Sequence, residues 1–304
     1  MNNFAPIVLF VYSRPLHAEK TLNALIQNEL ASESVLYIYC DGPKENSSIE
    51  ERKNINNLRL LVRSKQWCGE VKIIESEKNK GLANSIIDGV TEVSSKYGKV
   101  IVLEDDIVTS KGFLKYMNQA LIIYEDDERV MHVSGYIYPV KGKKLPETFF
   151  YNVNSCWGWG TWNRAWILFY KDSIKVKEAL LAKDNFSQDN FNKGQGRAFW
   201  KQIEDNISGK INTWAVYWHS ILFLNDGFSL HPHKSLVRNI GMDNSGDNCG
   251  VDSRYNDQDI VEYVDVKPIP VVENKYIIRY MSTYFNDPSL KKRVLRTLRK
   301  LKKK

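Results

Sequence analysis

Residues 6–106 alternate between strand-like and helix-like stretches, and this alternation constrains the fold more than any other feature of the chain. The short apolar runs "PIVLFVYS" (6–13), "SVLYIYCD" (34–41), "EVKIIES" (70–76) and "KVIVLEDD" (99–106) read as strands. Helices are expected between them at 16–30, near 48–65 and at 81–98. Such βαβ alternation predicts an α/β fold with a mostly parallel sheet and helices on both faces. Open sheets of that type bind ligands at the carboxyl ends of their strands. Those ends carry the "SRP" after the first strand, Asp41 after the second, and Glu104, Asp105 and Asp106 after the fourth.

The remainder is less regular. A helix is expected at 110–125, a strand at 129–134 and a hairpin-like pair near 136–152. The tryptophan and glycine cluster "CWGWGTWNRAW" (156–166) precedes a polar helical region reaching about 208. Residues 213–224 read as a buried helix, 227–241 as extended, and 242–257 as a glycine- and Asn/Asp-rich loop.

At 304 residues and 43% hydrophobic content, the chain suffices for one large α/β domain or two small ones. No apolar run approaches the roughly 20 residues needed to cross a bilayer. The beginning, "MNNFAPIVLFVYSRP", lacks the pattern of a signal peptide, which leads us to expect a cytoplasmic protein. Cys40, Cys68, Cys156 and Cys249 are scattered without a CxxC pair, as expected of reduced structural thiols.

The net charge of +7 resides in the tail, because 291–304 hold nine basic residues and no acid. The rest carries 34 basic and 36 acidic side chains, which argues against a nucleic-acid-binding face. After Asp287 and Pro288, the residues Leu290, Val294, Leu298 and Leu301 recur on one helical face among Lys and Arg. Such a basic amphipathic helix suits an anionic membrane surface, on the inner face of the plasma membrane for a cytoplasmic protein. A frayed, solvated tail is the plain alternative.

Acids after a strand are often no more than solvated loop residues. Three in a row after an uninterrupted apolar strand, inside a βαβ series, shift the balance. Adjacent carboxylates repel one another and resist desolvation unless positive charge sits among them. Hard divalent cations bind carboxylate and diphosphate oxygens together, so a metal carrying a nucleotide would account for the triplet.

"PIVLFVYSRP", "YCDGPKE", "KNKGLANSIIDG", "VIVLEDDIVTSKGFLKYM", "WGWGTWNRAW" and "SLVRNIGMDNSG" resemble, in order, glycosyltransferases of the GT-A fold. They are most similar to the group containing N-acetylglucosaminyltransferase I and its bacterial polysaccharide-synthesis relatives. The resemblance covers most of residues 5–250 and is most specific at the acid triplet. It implies a Rossmann-like, mostly parallel sheet flanked by helices and an irregular acceptor-side half, with the basic C-terminal helix read from the tail's own pattern lying beyond it. Residues 1–108 would bind the nucleotide sugar, 109–286 would form the acceptor and catalytic half of the same domain, and 287–304 the tail.

The resemblance also implies roles. Asp106 would bind Mn²⁺ or Mg²⁺ bridging the donor diphosphate. Asp105 and Glu104 would reach the ribose and donor sugar, and Asp41 a uracil N–H. Arg14 would lie near the base or diphosphate. Asn79, Lys80 and Gly81 would bring backbone and positive charge to the nucleotide sugar, and Arg238 belongs to the same site. Trp159 and Gly160 would line the acceptor and donor-sugar pocket, although such clusters often only pack a core. The segment 238–250 resembles a lid, with Asn248 where many relatives carry His.

Inverting transfer needs a carboxylate base near the acceptor hydroxyl. Where the family places that Asp, this chain has Asn212 and Ala215 around Trp214. Glu204 and Asp205 in "WKQIEDN" are the nearest substitutes, against the plain reading of solvated helix acids.

The expected function is therefore metal-dependent, inverting transfer from a UDP-sugar such as UDP-GlcNAc to a glycan or lipid-linked glycan. Bacterial surface polysaccharide or lipopolysaccharide synthesis would be its setting. Two rivals stand beside it. One is a GT-A-like glycan-binding or scaffolding module without catalysis, favoured by the missing Asp near Trp214. The other is a nucleotidyltransferase, disfavoured because "YSRPLHAEK" lacks a glycine-rich, basic phosphate loop.

Overall fold

Strand residues of alternating destination build the centre of this computed structural model, which describes residues 4–139, 145–195, 198–243, 245 and 258–286. In β1 (Ile7–Val11), Ile7, Leu9 and Val11 enter one core and Val8 and Phe10 another. This is the period-2 geometry of a strand buried on both faces. The first core takes Ala18, Leu22 and Leu25 of α1 (Pro15–Leu25), and Leu58 and Val62 of α2 (Ile49–Arg63). The second takes Ile86, Val90 and Val93 of α3 (Leu82–Tyr97). Pro15 starts α1, and Ser48 caps α2 by accepting from Glu51 N, with Glu51 completing the capping-box sequence.

With β2 (Val35–Cys40), β3 (Glu70–Glu75) and β4 (Lys99–Glu104), β1 forms a parallel half-sheet in the order β3-β2-β1-β4. The chain travels outward from β1 to β3 and then returns to β4 on the other side of β1. That reversal opens a crevice at the carboxyl ends of β1 and β4, where sheets of this class accept ligands.

The sheet continues into the second half. Along the chain come β5 (Ile107–Thr109), α4 (Phe113–Ile123), β6 (Val130–Ser134), β7 (Thr148–Phe150) and β8 (Trp159–Trp162). They are followed by α5 (Asn163–Trp166), α6 (Ser173–Ala182), α7 (Gln188–Asn192), α8 (Ala198–Ile207) and α9 (Ala215–Leu224). Then β9 (Phe228–Pro232), β10 (Val237–Asn239) and α10 (Lys275–Asn286) close the described chain. Strand β8 lies antiparallel between β4 and β6, and β9 and β7 extend the sheet to eight strands, four of whose seven pairings are parallel. The expected hairpin near 136–152 is corrected: β7 pairs with β9 instead, Phe150 opposite Leu230, because its apolar face is completed by a distant strand. The tail and most of the 242–257 loop lie outside the described residues, as do Asn248 and Cys249.

Candidate functional site

The polypeptide leaves β1 through Tyr12 and Ser13 into Arg14, which precedes Pro15 at the start of α1. Arg14 Nη2 donates to Asp105 Oδ1 and, at 2.8 Å, to Asp106 Oδ2, while Nε donates to Asp105 Oδ2 at 3.3 Å. Burial alone would make this guanidinium give up its proton more easily, but the charges of Asp105 and Asp106 outweigh burial and hold it charged. Burial, followed by the charges of Asp106 and Asp105, pushes the Glu104 carboxyl up to about 8. Burial likewise raises Asp105 to about 7 against the pull of Arg14. The three acids thus hold more negative charge than one guanidinium can balance.

That deficit is the observation that bears on a metal. Three adjacent carboxylates with one guanidinium among them offer the hard oxygens that fit a divalent cation. Among the described residues, no group of three or more His, Cys, Asp or Glu side chains converges to hold one. The chain would therefore supply few ligands, Asp106 first, and a bound diphosphate would supply others.

Asp41 closes the opposite wall. Its Oδ1 accepts from Gly42 N and Lys80 N, both at 2.8 Å, and its Oδ2 from Gly81 N at 2.9 Å and Asn79 Nδ2 at 3.1 Å. Four donors occupy the roughly four lone-pair sites of a carboxylate, which leaves none for a uracil N–H. Contrary to expectation, Asp41 staples the 79–81 loop. A side chain at Gly42 would overlap the backbone of Glu77 and Lys78, so the close approach needs glycine there. Lys80 also departs from its expected role, because its ammonium pairs with Asp88 Oδ2 at 3.2 Å on the surface.

The cleft between these walls measures about 170 Å³ and is lined by Arg14, Asp41, Asn79, Gly81 and all three acids of the triplet. It is smaller than the roughly 300–1,000 Å³ of typical small-molecule sites. Ser245 lines it, and Gly241 lies against Asp106: a Cβ at 241 would collide with Asp106 Oδ2 and come within 2.9 Å of Arg14 Nη1. Ile240 N donates to Asp106 O at 2.9 Å, and His17 Nε2 pairs with Asp243 Oδ2 at 3.0 Å. A larger depression, about 480 Å³, lies among α6, α7 and the end of α9. Its Lys183 and Lys193 are already paired, with Asp226 and Glu273, so chemistry rather than volume selects the cleft.

Tyr12, Tyr39 and Lys44 also line the cleft and were not among the sequence candidates. Lys44 Nζ sits 5.6 Å from the Tyr12 ring centre, and Tyr39 stacks on Phe10. Their signal was their place within "VYSRP" and "YCDGPKE", beside residues that were singled out.

Five expected site residues lie elsewhere. Trp159 is fully buried, stacked between His132 and Trp214, because its large apolar surface completes the second core. Gly160 is a sheet residue of β8 opposite Ile101 and Val133. On α8, Asp205 pairs with Lys201 at 2.7 Å, and Glu204 accepts from Trp200 Nε1 at 3.0 Å. Neither Glu204 nor Asp205 lines the cleft, and each is bonded to a neighbour on its own helix. Arg238 is also outside the cleft lining, since its Nε donates to Gln258 O at 3.0 Å beside β5.

No family model matches the chain, and no curated protein matches it significantly. Solved structures give distant overlaps. TarS of S. aureus shares 16% identity over 51% of this chain and 28% of its own, with a TM-score of 0.31. Mouse xyloside xylosyltransferase 1 shares 11% over 44% and 53%, with a TM-score of 0.28. A UDP-glucose pyrophosphorylase complexed with UDP-glucose shares 10% over 83% and 96%, with a TM-score of 0.38. The chain thus spans about a quarter of TarS and half of the xylosyltransferase. Overlaps this loose assign no activity.

Proposed function

We propose that the chain is a glycosyltransferase that takes a UDP-sugar, UDP-GlcNAc among the candidates, in the crevice between β1 and β4. One observation carries this reading: the under-compensated acid triplet ends β4 directly opposite Arg14, at the sheet's reversal point. A nucleotide diphosphate could not approach such a negative wall alone. A divalent ion, Mn²⁺ or Mg²⁺, would supply the charge that holds the diphosphate there and would stabilise the leaving group. Asp106 would hold it, Arg14 would meet phosphate oxygens, and the stapled 79–81 backbone would shape the donor side. Glycan or lipid-linked glycan acceptors in surface polysaccharide synthesis remain the favoured partners of an inverting reaction. For the tail we propose peripheral attachment to an anionic membrane, which deletion of 288–304 should abolish in vesicle co-sedimentation.

Calorimetric titration of UDP and UDP-sugars, with Mn²⁺ and with chelator, tests the donor reading. Metal-dependent binding that disappears in Asp106→Ala is expected. No nucleotide binding under either condition would remove the reading. A second reading, a glycan-binding module, is favoured by the absence of Glu204 and Asp205 from the cleft lining. It predicts glycan binding without donor turnover.

A further inference from the structure

We propose that Arg14 is a displaceable counter-ion: it neutralises Asp106 while the site is empty and releases it to the incoming metal, then turns to the anionic ligand. This rests on the metal–nucleotide reading and adds a residue whose two partners exclude each other.

The geometry supports an exchange. Nη2 bridges the two carboxylates, so the guanidinium stands where a cation drawn to both would come. A divalent ion and a guanidinium repel, and they cannot share Asp106 Oδ2. Asp105 remains reachable through Nε even when Asp106 is given up. The backbone need not move: Arg14 O accepts from Ala18 N at 3.0 Å and Pro15 follows, which ties the residue to the first turn of α1. Rotation about side-chain bonds is sufficient.

The second observation is an unmade bond. Arg14 Nη1 is buried and has no hydrogen-bond partner among the described residues. Buried donors are rarely left so. Nη1 lies beside Gly241, which has no side chain to offer it. Phosphate oxygens are the acceptors a guanidinium fork takes best. The same arginine therefore has a reason to leave Asp106 and a reason to engage a diphosphate.

The consequence is a pair of effects with opposite signs. In Arg14→Gln, Mn²⁺ alone, followed by the paramagnetic resonance of the free ion, should bind at least about tenfold more tightly than in wild type. That is the scale expected when a partly buried charge loses its competing partner. UDP at saturating Mn²⁺, followed by calorimetry, should bind at least about tenfold more weakly. Arg14→Lys, which keeps the charge but cannot bridge two carboxylates, should fall between the two on both measures and serves if Arg14→Gln does not fold. A merely structural ion pair would weaken both affinities when removed. Unchanged or weaker Mn²⁺ binding in both variants, with wild type still binding Mn²⁺ and UDP together, overturns the role of Arg14 and leaves the site reading intact. Wild type that takes up neither overturns both.

Discussion

At the scale of single residues, one carboxylate settles much of the cleft. Asp41→Ala would strip the partner from three backbone N–H groups, of Gly42, Lys80 and Gly81, and from the Asn79 side-chain amide, a loss of about 2–4 kcal/mol in urea unfolding. Asp41→Asn, which keeps one acceptor oxygen, should lose about half of that. Gly241→Ala drives a methyl into the Arg14–Asp106 contact, and calorimetry should show weaker UDP binding with little change in melting temperature. The position of Asp41 was legible, because a strand end in a βαβ series is marked by its neighbours. Its role was not, since three of its four donors come from a segment about 40 residues away and converge on it only after folding. Lys80 shows the same limit: its charge was visible, but its direction was set by Asp88.

Among the elements, β8 divides what could be read from what could not. The first four strands and three helices announce themselves by local period, each burying residues within its own βαβ unit. Four residues, Trp159–Trp162, carry no comparable signal, and their place between β4 and β6 depends on strands far away in sequence. The tryptophan cluster therefore looked as suited to a sugar as to a core. Trp159→Ala should cost about 3–5 kcal/mol in thermal or chemical unfolding, the scale for emptying a buried aromatic site. Nucleotide affinity of the folded fraction should match wild type; a specific loss of sugar affinity would restore the contact role. Helix α8 makes the converse case, since Glu204→Ala and Asp205→Ala should leave donor turnover unchanged.

For the whole molecule, stability against pH reflects two opposed sets of buried groups. Burial lowers His132 to about 3 and His219 and His231 to about 4. The unfolded chain therefore binds more protons than the native one below about 6.5, and stability is lost as pH falls from there. Glu104 and Asp105, raised to about 8 and 7, keep protons in the native state that the unfolded chain gives up above about 4. Their contribution falls as pH rises through those values. Melts between acid and alkaline conditions should thus show greatest stability near about pH 6. A curve still climbing at pH 8 would contradict this balance. Neither set was visible in the sequence, because the histidines sit on β6, α9 and β9 and meet burial only in the assembled sheet and its packed helices.

The two walls of the cleft differ in how much is finished before a ligand arrives. The wall around Asp41 is already bonded, so a nucleotide meeting it has little chain entropy to remove, and association there should be fast. The wall at Gly241 is joined to the acid triplet through Ile240 N on Asp106 O, and to α1 through the half-exposed His17–Asp243 pair. Residence time belongs to that second wall, so substitutions at His17 or Asp243 should alter how long a nucleotide stays far more than how quickly it arrives.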